Sequence, residues 1–274
     1  MQSPSLPWPD SIRAINDLPQ EQKRAIYRTL IPDWVFAQFD IDPDTLTVDG
    51  QPVIHFRCPA GSSAVEIMVY HRPDAEDPAL YLQMADSFHN QLIVLMATVN
   101  DPESPRFNID RDEHGQPTQL GTIRRNIPEE IRAMNAGLAP GQIRRGLRIF
   151  RTGIPTFELF LKRMGHSMFF IEPLFYHNAI IFERYGFAYS RGLRLMQWIH
   201  AEFQPGGELH ARLTGDNPFR MPDAWRTISG RSWAIHDGIL GRPFTDVQMY
   251  KRIGERACVE TFPGAVWSLA ASGE

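Results

Sequence analysis

Between Gly141 and Phe187 the chain reads GQIRRGLRIFRTGIPTFELFLKRMGHSMFFIEPLFYHNAIIFERYGF, and this run fixes an order of elements more firmly than any other stretch. Ile143, Leu147, Phe150, Ile154, Phe157, Leu161 and Met164 recur at alternating spacings of four and three, which predicts an amphipathic helix with one buried face. Pro155 lies inside that pattern, where it removes a backbone donor and crowds the carbonyl four residues earlier, so a kink or a break is expected near Gly153. Gly165 closes the helix. Ser167 to Glu172 is short, apolar and bounded by Pro173, as a buried strand would be, and Phe175 to Tyr185 predicts a second helix stopped by Gly186. Arg144, Arg145, Arg148 and Arg151 all fall in the first part of the long helix, with 144, 148 and 151 on one face. An anion at that helix start would meet guanidinium groups and free backbone N–H groups together; a solvated helix face is the plainer reading of the same residues.

Long helix, strand, short helix and a closing Tyr185-Gly186-Phe187 resemble the acyl-CoA-binding half of the GNAT N-acetyltransferase superfamily, over about forty-five residues. In that family a loop of the type Gln/Arg-x-x-Gly-x-Gly/Ala opens the helix and its amides hold the coenzyme A pyrophosphate. The following strand and helix end in Tyr-x-x-x-Gly-Phe, the Tyr often serving as general acid. Gly146 matches the first glycine, and Gly186 and Phe187 match the closing pair. Ile143 stands where Gln or Arg is usual, Arg148 replaces the second small residue, and Phe182 occupies the Tyr position. The resemblance implies an acyl-CoA co-substrate, an acyl group passed to a small-molecule amine, and Arg144, Arg145, Gly146 and Arg148 around the coenzyme's phosphates.

The rest of the chain gives a compatible frame. Ile12 to Ile15 and Pro19 to Leu30 read as helices, with Pro32 closing the segment, and Asp49-Gly50 sits between apolar runs as a hairpin turn would, with Pro52 suiting an edge. Val65, Ile67 and Val69 alternate with Glu66, Met68 and Tyr70, as do Leu80, Leu82 and Met84 with their neighbours, while Gln91 to Val99 is apolar on both faces. These predict an antiparallel meander, and with the helices an α+β fold on a mainly antiparallel mixed sheet, GNAT-like in arrangement. The 274 residues, 43% of them hydrophobic, are expected to form a single domain with an N-terminal helical arm, an inserted segment at about 100–140 and a C-terminal helical extension at about 189–274. In that extension Leu193 to Phe203 reads as a helix, Asp216 to Ser232 as a loop, and Thr245-x-x-Gln248 as a capping box opening a last helix. The formal net charge of −4 offers no reason to expect nucleic acid or an anionic membrane as partner. Two distant cysteines, no basic-then-apolar leader and no run of about 18 apolar residues point to a cytoplasmic protein.

Chemistry is carried by few residues. Glu172 at the end of the predicted strand and His177 in the first turn of the next helix are the acid–base candidates for deprotonating an amine, against plain roles at a helix start. His166, His177, His200, Glu202, His210, His236 and Asp237 would supply ligands to an iron or zinc site, but His200 and Glu202 diverge by about 200° on a helix and no His-Glu-x-x-His occurs, so no metal is expected. A metal-dependent enzyme and a non-catalytic ligand-binding or assembly protein stand as the alternatives to an acyl-CoA-dependent transferase.

Overall fold

In the computed structural model residues 8–121, 123–147 and 149–268 are described. They form an α+β fold with a mostly antiparallel mixed seven-stranded sheet flanked by helices. Three short helices, α1 (Ile12–Asn16), α2 (Gln20–Arg28) and α3 (Asp33–Gln38), come first. A two-stranded hairpin β1 (Thr47–Val48) and β2 (Gln51–Pro52) follows, turning through Asp49 and Gly50 at φ 49° and 75°, the left-handed pair that a two-residue hairpin loop needs. The meander β3 (Ile54–Arg57), β4 (Ala64–Val69), β5 (Leu80–Asp86) and β6 (Leu92–Val99) leads to α4 (Ile127–Asn135), α5 (Phe150–Arg163), β7 (Met168–Ile171) and α6 (Tyr176–Arg184). The chain then runs through β8 (Ala188–Arg191), α7 (Leu193–Glu202), α8 (Glu208–Ala211), α9 (Ile228–His236) and β9 (Gln248–Arg252). Strand order is β3-β4-β5-β6-β7-β9-β8, with β6 and β7 parallel.

Contacts divide the chain into two compact units: residues 1–103, 146–171 and 251–255, and residues 104–145, 172–250 and 256–274. The first holds the meander, α5 and β7. Val65, Ile67 and Val69 point into its core at zero to 1% exposure, as the alternation requires. Phe157 of α5 meets Phe169 of β7 edge-on at 4.8 Å, and Tyr27, Phe56 and Phe160 stack nearby. The start of α1 is held from outside the helix: Asp86 accepts the N–H groups of Ile12 and Arg13 at 2.8 and 2.9 Å.

The second unit gathers the 104–145 segment with most of the C-terminal third. Its centre is α9, which the sequence reading leaves as loop. Ile228, Ser229, Arg231, Ser232, Trp233, Ala234 and Ile235 are all buried, so the helix has no apolar stripe to betray it. Gly230 is required there, because a Cβ would lie 2.5 Å from the Ala224 carbonyl oxygen.

Four other expectations are corrected. The long helix starts at Phe150, not at Ile143: the backbone before it is taken up by residues 104–107, with Phe107 N–H donating to the Ile143 carbonyl at 2.8 Å and Arg145 N–H to Ser104 Oγ at 3.1 Å. Pro155 does not break α5, which runs on from Phe150 to Arg163; the carbonyl four residues before it belongs to Arg151, an exposed residue. Pro32 opens α3 instead of ending the helical region, standing just before its first turn. The Thr245-x-x-Gln248 run leads into strand β9, where Met249 and Lys251 are buried on alternate positions, a period of two that a capping signal does not override.

Candidate functional site

The distinctive feature of the first unit is that, among the described residues, β6 is paired on its β7 side over only half its length. Its parallel pairing with β7 joins Leu92, Ile93 and Val94 to Phe169, Phe170 and Ile171 and ends there, although β6 continues to Val99 against β5. A bulge marks the same point: Met84 pairs with Val94 and Gln83 with Met96, so Leu95 is the extra residue, and it is 39% exposed in the middle of a sheet. Beyond it Ala97 is exposed and Met96, Thr98 and Val99 are half-buried. A strand end of this kind presents backbone donors and acceptors sideways to an extended ligand, with apolar side chains beside them. Gly146 comes close to its far end, for a Cβ there would lie 3.3 Å from the Val99 carbonyl oxygen. The first turn of α5 carries no side-chain cap.

In the second unit the candidates of the 172–177 run do not share a setting. Glu172 is half-exposed and accepts from Gln248 Nε2 at 3.1 Å, with Arg191 3.6 Å away. His177 is 3% exposed, stacked on Phe175 at 5.6 Å and edge-on to Trp267 at 5.9 Å. Burial first, and the charge of His236 second, depress its pKa to about 3, so it stays neutral at ordinary pH. Arg144 donates through Nη1 to the Ser104 carbonyl at 2.5 Å, and the Arg145 side chain is exposed. Arg148 lies outside the described residues.

A buried ionic network in the same unit takes in His236 and Asp237, which the sequence offers only as metal ligands. Arg125 binds Glu130 through Nε, at 3.0 Å to Oε2, and Asp237 through Nη1 at 2.8 Å, while its guanidinium lies over Phe219. Asp237 also accepts from Arg220 Nε at 2.7 Å and Asn217 Nδ2 at 2.8 Å. His236 Nε2 is 3.3 Å from Glu130 Oε1. Burial pushes the Glu130 carboxyl up, but hydrogen bonds and charge from His236 and Arg125 outweigh it and hold the group below the usual range. The ring of His236 packs on Gly121, where φ is 81° and a Cβ would fall 2.6 Å from Cε1. This carboxylate–imidazole pair, with its second carboxylate and two guanidinium groups, is nearly charge-balanced and chiefly ties α4, α9 and the 217–220 loop together.

The other histidines weighed as ligands have partners of their own. Nε2 of His166 meets the Asp10 carbonyl at 2.9 Å, His200 faces Arg231, and His210 lies edge-on to Trp225. Among the described residues no three of His, Cys, Asp and Glu converge as a metal would need. A groove of about 210 Å³ opens beside the first turn of α9, with Met134, Phe219, Met221 and Trp233 among its walls. The N–H groups of Ile228, Ser229 and Gly230 there are already donated to Val266, Trp267 and Thr227, so that helix start is not a ready anion site. No helix among the described residues is long and apolar enough to cross a membrane.

Comparison with known protein families, with curated proteins and with solved structures finds no match.

Proposed function

We propose that the chain is an acyl-CoA-dependent transferase of the GNAT kind that moves an acyl group to an amine. The observation that carries this reading is the uncovered second half of β6. Coenzyme A has a long extended arm with two amides, and an open strand end with apolar neighbours suits such an arm through main-chain hydrogen bonds. The order of elements supports it: an antiparallel meander, then a helix preceded by Gly146 and the arginine run, then a strand parallel to the last meander strand, then a helix ending on Gly186 and Phe187. Arg144, Arg145 and Arg148 are the groups proposed for the coenzyme's phosphates.

In the reaction a neutral amine attacks the thioester carbonyl, the C–N bond forms, the C–S bond breaks and the thiolate leaves. The amine must shed a proton. Glu172 is the proposed base, because it is half-exposed, whereas the buried His177 resists protonation. Phe182, at the position of the family's acid, is 5% exposed and packs on Phe187 at 5.2 Å. The thiolate therefore leaves without that proton, which its pKa of about 8.5 tolerates near neutrality. The same residue favours the second reading, an acyl-CoA-binding protein without turnover.

Titration calorimetry with coenzyme A and acyl-CoAs, followed by thiol release with an amine panel, tests the proposal. Binding is expected to add about 2.7 kcal/mol of stability at 100 times the dissociation constant. Turnover is expected to rise with pH and fall in Glu172→Gln. No heat at millimolar acyl-CoA refutes both readings, and binding without transfer in wild type and Phe182→Tyr selects the second.

A further inference from the structure

Arg231 is fully buried in the second unit, and none of its hydrogen bonds or ion pairs among the described residues goes to a carboxylate. Its Nε donates to the Trp225 carbonyl at 2.6 Å, and Nη1 lies 3.3 Å from Nδ1 of His200. Its guanidinium sits 3.5 Å above the Phe262 ring and 5.2 Å from that of Phe203. Nη2 has no acceptor. The Tyr176 hydroxyl, on a side chain 1% exposed, lies close enough to the guanidinium for its charge and a hydrogen-bonding contact to act on it, but the pair makes no well-formed hydrogen bond and the phenol proton has no acceptor. The adjoining Ser232 Oγ is a third buried atom without a partner. Glu183, the acid that the Tyr176 hydroxyl senses, is committed elsewhere: Oε1 accepts from Tyr189 at 2.5 Å and Thr261 Oγ1 at 2.6 Å, and Oε2 from Thr261 N–H at 2.9 Å. An aromatic face offsets part of a buried cation's desolvation, but it gives no acceptor to an N–H pointing elsewhere.

We propose that Arg231 and Tyr176 form a buried site for a small monovalent anion of the chloride class. A guanidinium N–H and a phenol O–H, adjacent, buried and without a well-formed acceptor, are two donors with the Arg231 charge behind them, and a monovalent anion satisfies both while offsetting that charge. Arg231 lies in α9 and Tyr176 in α6, so the ion ties those helices together and is a stability cofactor of the second unit, independent of the acyl transfer proposed above.

The test compares thermal unfolding of the full chain in sodium gluconate and in sodium chloride at equal ionic strength. Chloride is expected to raise Tm by about 2–4 °C with saturation at millimolar concentration. Bromide substitutes for chloride and gives an anomalous peak beside Arg231 in crystals, and acetate and formate tell a simple halide site from a carboxylate site. The rise is expected to vanish in Arg231→Met and shrink in Tyr176→Phe. Equal Tm in gluconate and chloride overturns the proposal, and it needs no variant that might misfold. A chloride effect that is undiminished in Tyr176→Phe, or linear to molar salt without saturation, overturns it equally.

Discussion

His177 gives the sharpest test of the packing in the second unit, because its burial translates directly into a dependence of stability on pH. The unfolded chain binds a proton at this ring near pH 6.5, the folded chain only near pH 3. A cationic acid whose folded pKa is depressed leaves stability intact above the unfolded value and removes it as the pH falls through 6.5, with levelling only near 3. Two features oppose the charge: the ring is enclosed by Phe175 and Trp267 away from water, and the His236 ring lies near enough for its charge to count against a second one. Linkage over the two pKa values puts the loss between pH 7 and pH 5 at about 2 kcal/mol, a large share of the roughly 5–15 kcal/mol that holds a domain together. Urea unfolding of wild type and His177→Phe at both pH values measures it. The variant keeps an aromatic ring on Phe175 and has nothing to titrate there, so its stability is expected to fall less between pH 7 and pH 5, by that same amount of about 2 kcal/mol. Equal slopes in the two proteins, or a His177 ring resonance titrating near 6.5 in the folded state, refute the argument.

Four further outcomes are expected. Glu130→Ala leaves His236 and part of Arg125 buried without their acceptor and is expected to cost about 3 kcal/mol by denaturant unfolding. Since the Glu130 carboxyl is held low, its contribution is present above the ordinary carboxylate range and disappears as the pH falls through the lower folded value, so the wild-type and Glu130→Gln curves converge in acid. Gly230→Ala drives a methyl into the Ala224 carbonyl and is expected to lose about 2–3 kcal/mol, seen as a lower Tm; a neutral result means α9 shifts freely. Leu95→Asp, at an exposed bulge, is expected to change stability by less than about 1 kcal/mol while weakening coenzyme A binding at least tenfold, and unaltered affinity removes the open half of β6 from the site.

The local signals in the sequence were sufficient wherever an element has one wet face or a turn needing special dihedrals. The alternation in β4, the Asp49-Gly50 turn, and the ends of α6 at Gly186 and of α5 at Gly165 follow from side-chain period and left-handed glycine, which the chain carries with it, whereas β5 is half-buried at most positions on both faces. Tertiary structure decided the rest. Ile143 fits the stripe of α5 but is packed against a cluster containing Phe107, Leu138 and Trp233, since the 104–107 segment claims its backbone and no local rule registers that competition. Helix α9 is invisible to periodicity because it is enclosed all round, and β9 sits behind a helix-start signal that the alternating burial of Met249 and Lys251 overrules. The candidate site divides in the same way. Gly146 and the arginine run stand out in the sequence, but the half-covered edge of β6 depends on where β7 stops, and an all-apolar strand reads alike whether covered or bare. Glu130 meets His236 across 106 positions, and Arg231 meets Phe262 and Tyr176 only once α9 is enclosed, so the charges of the second unit acquire partners, or lack them, through packing alone.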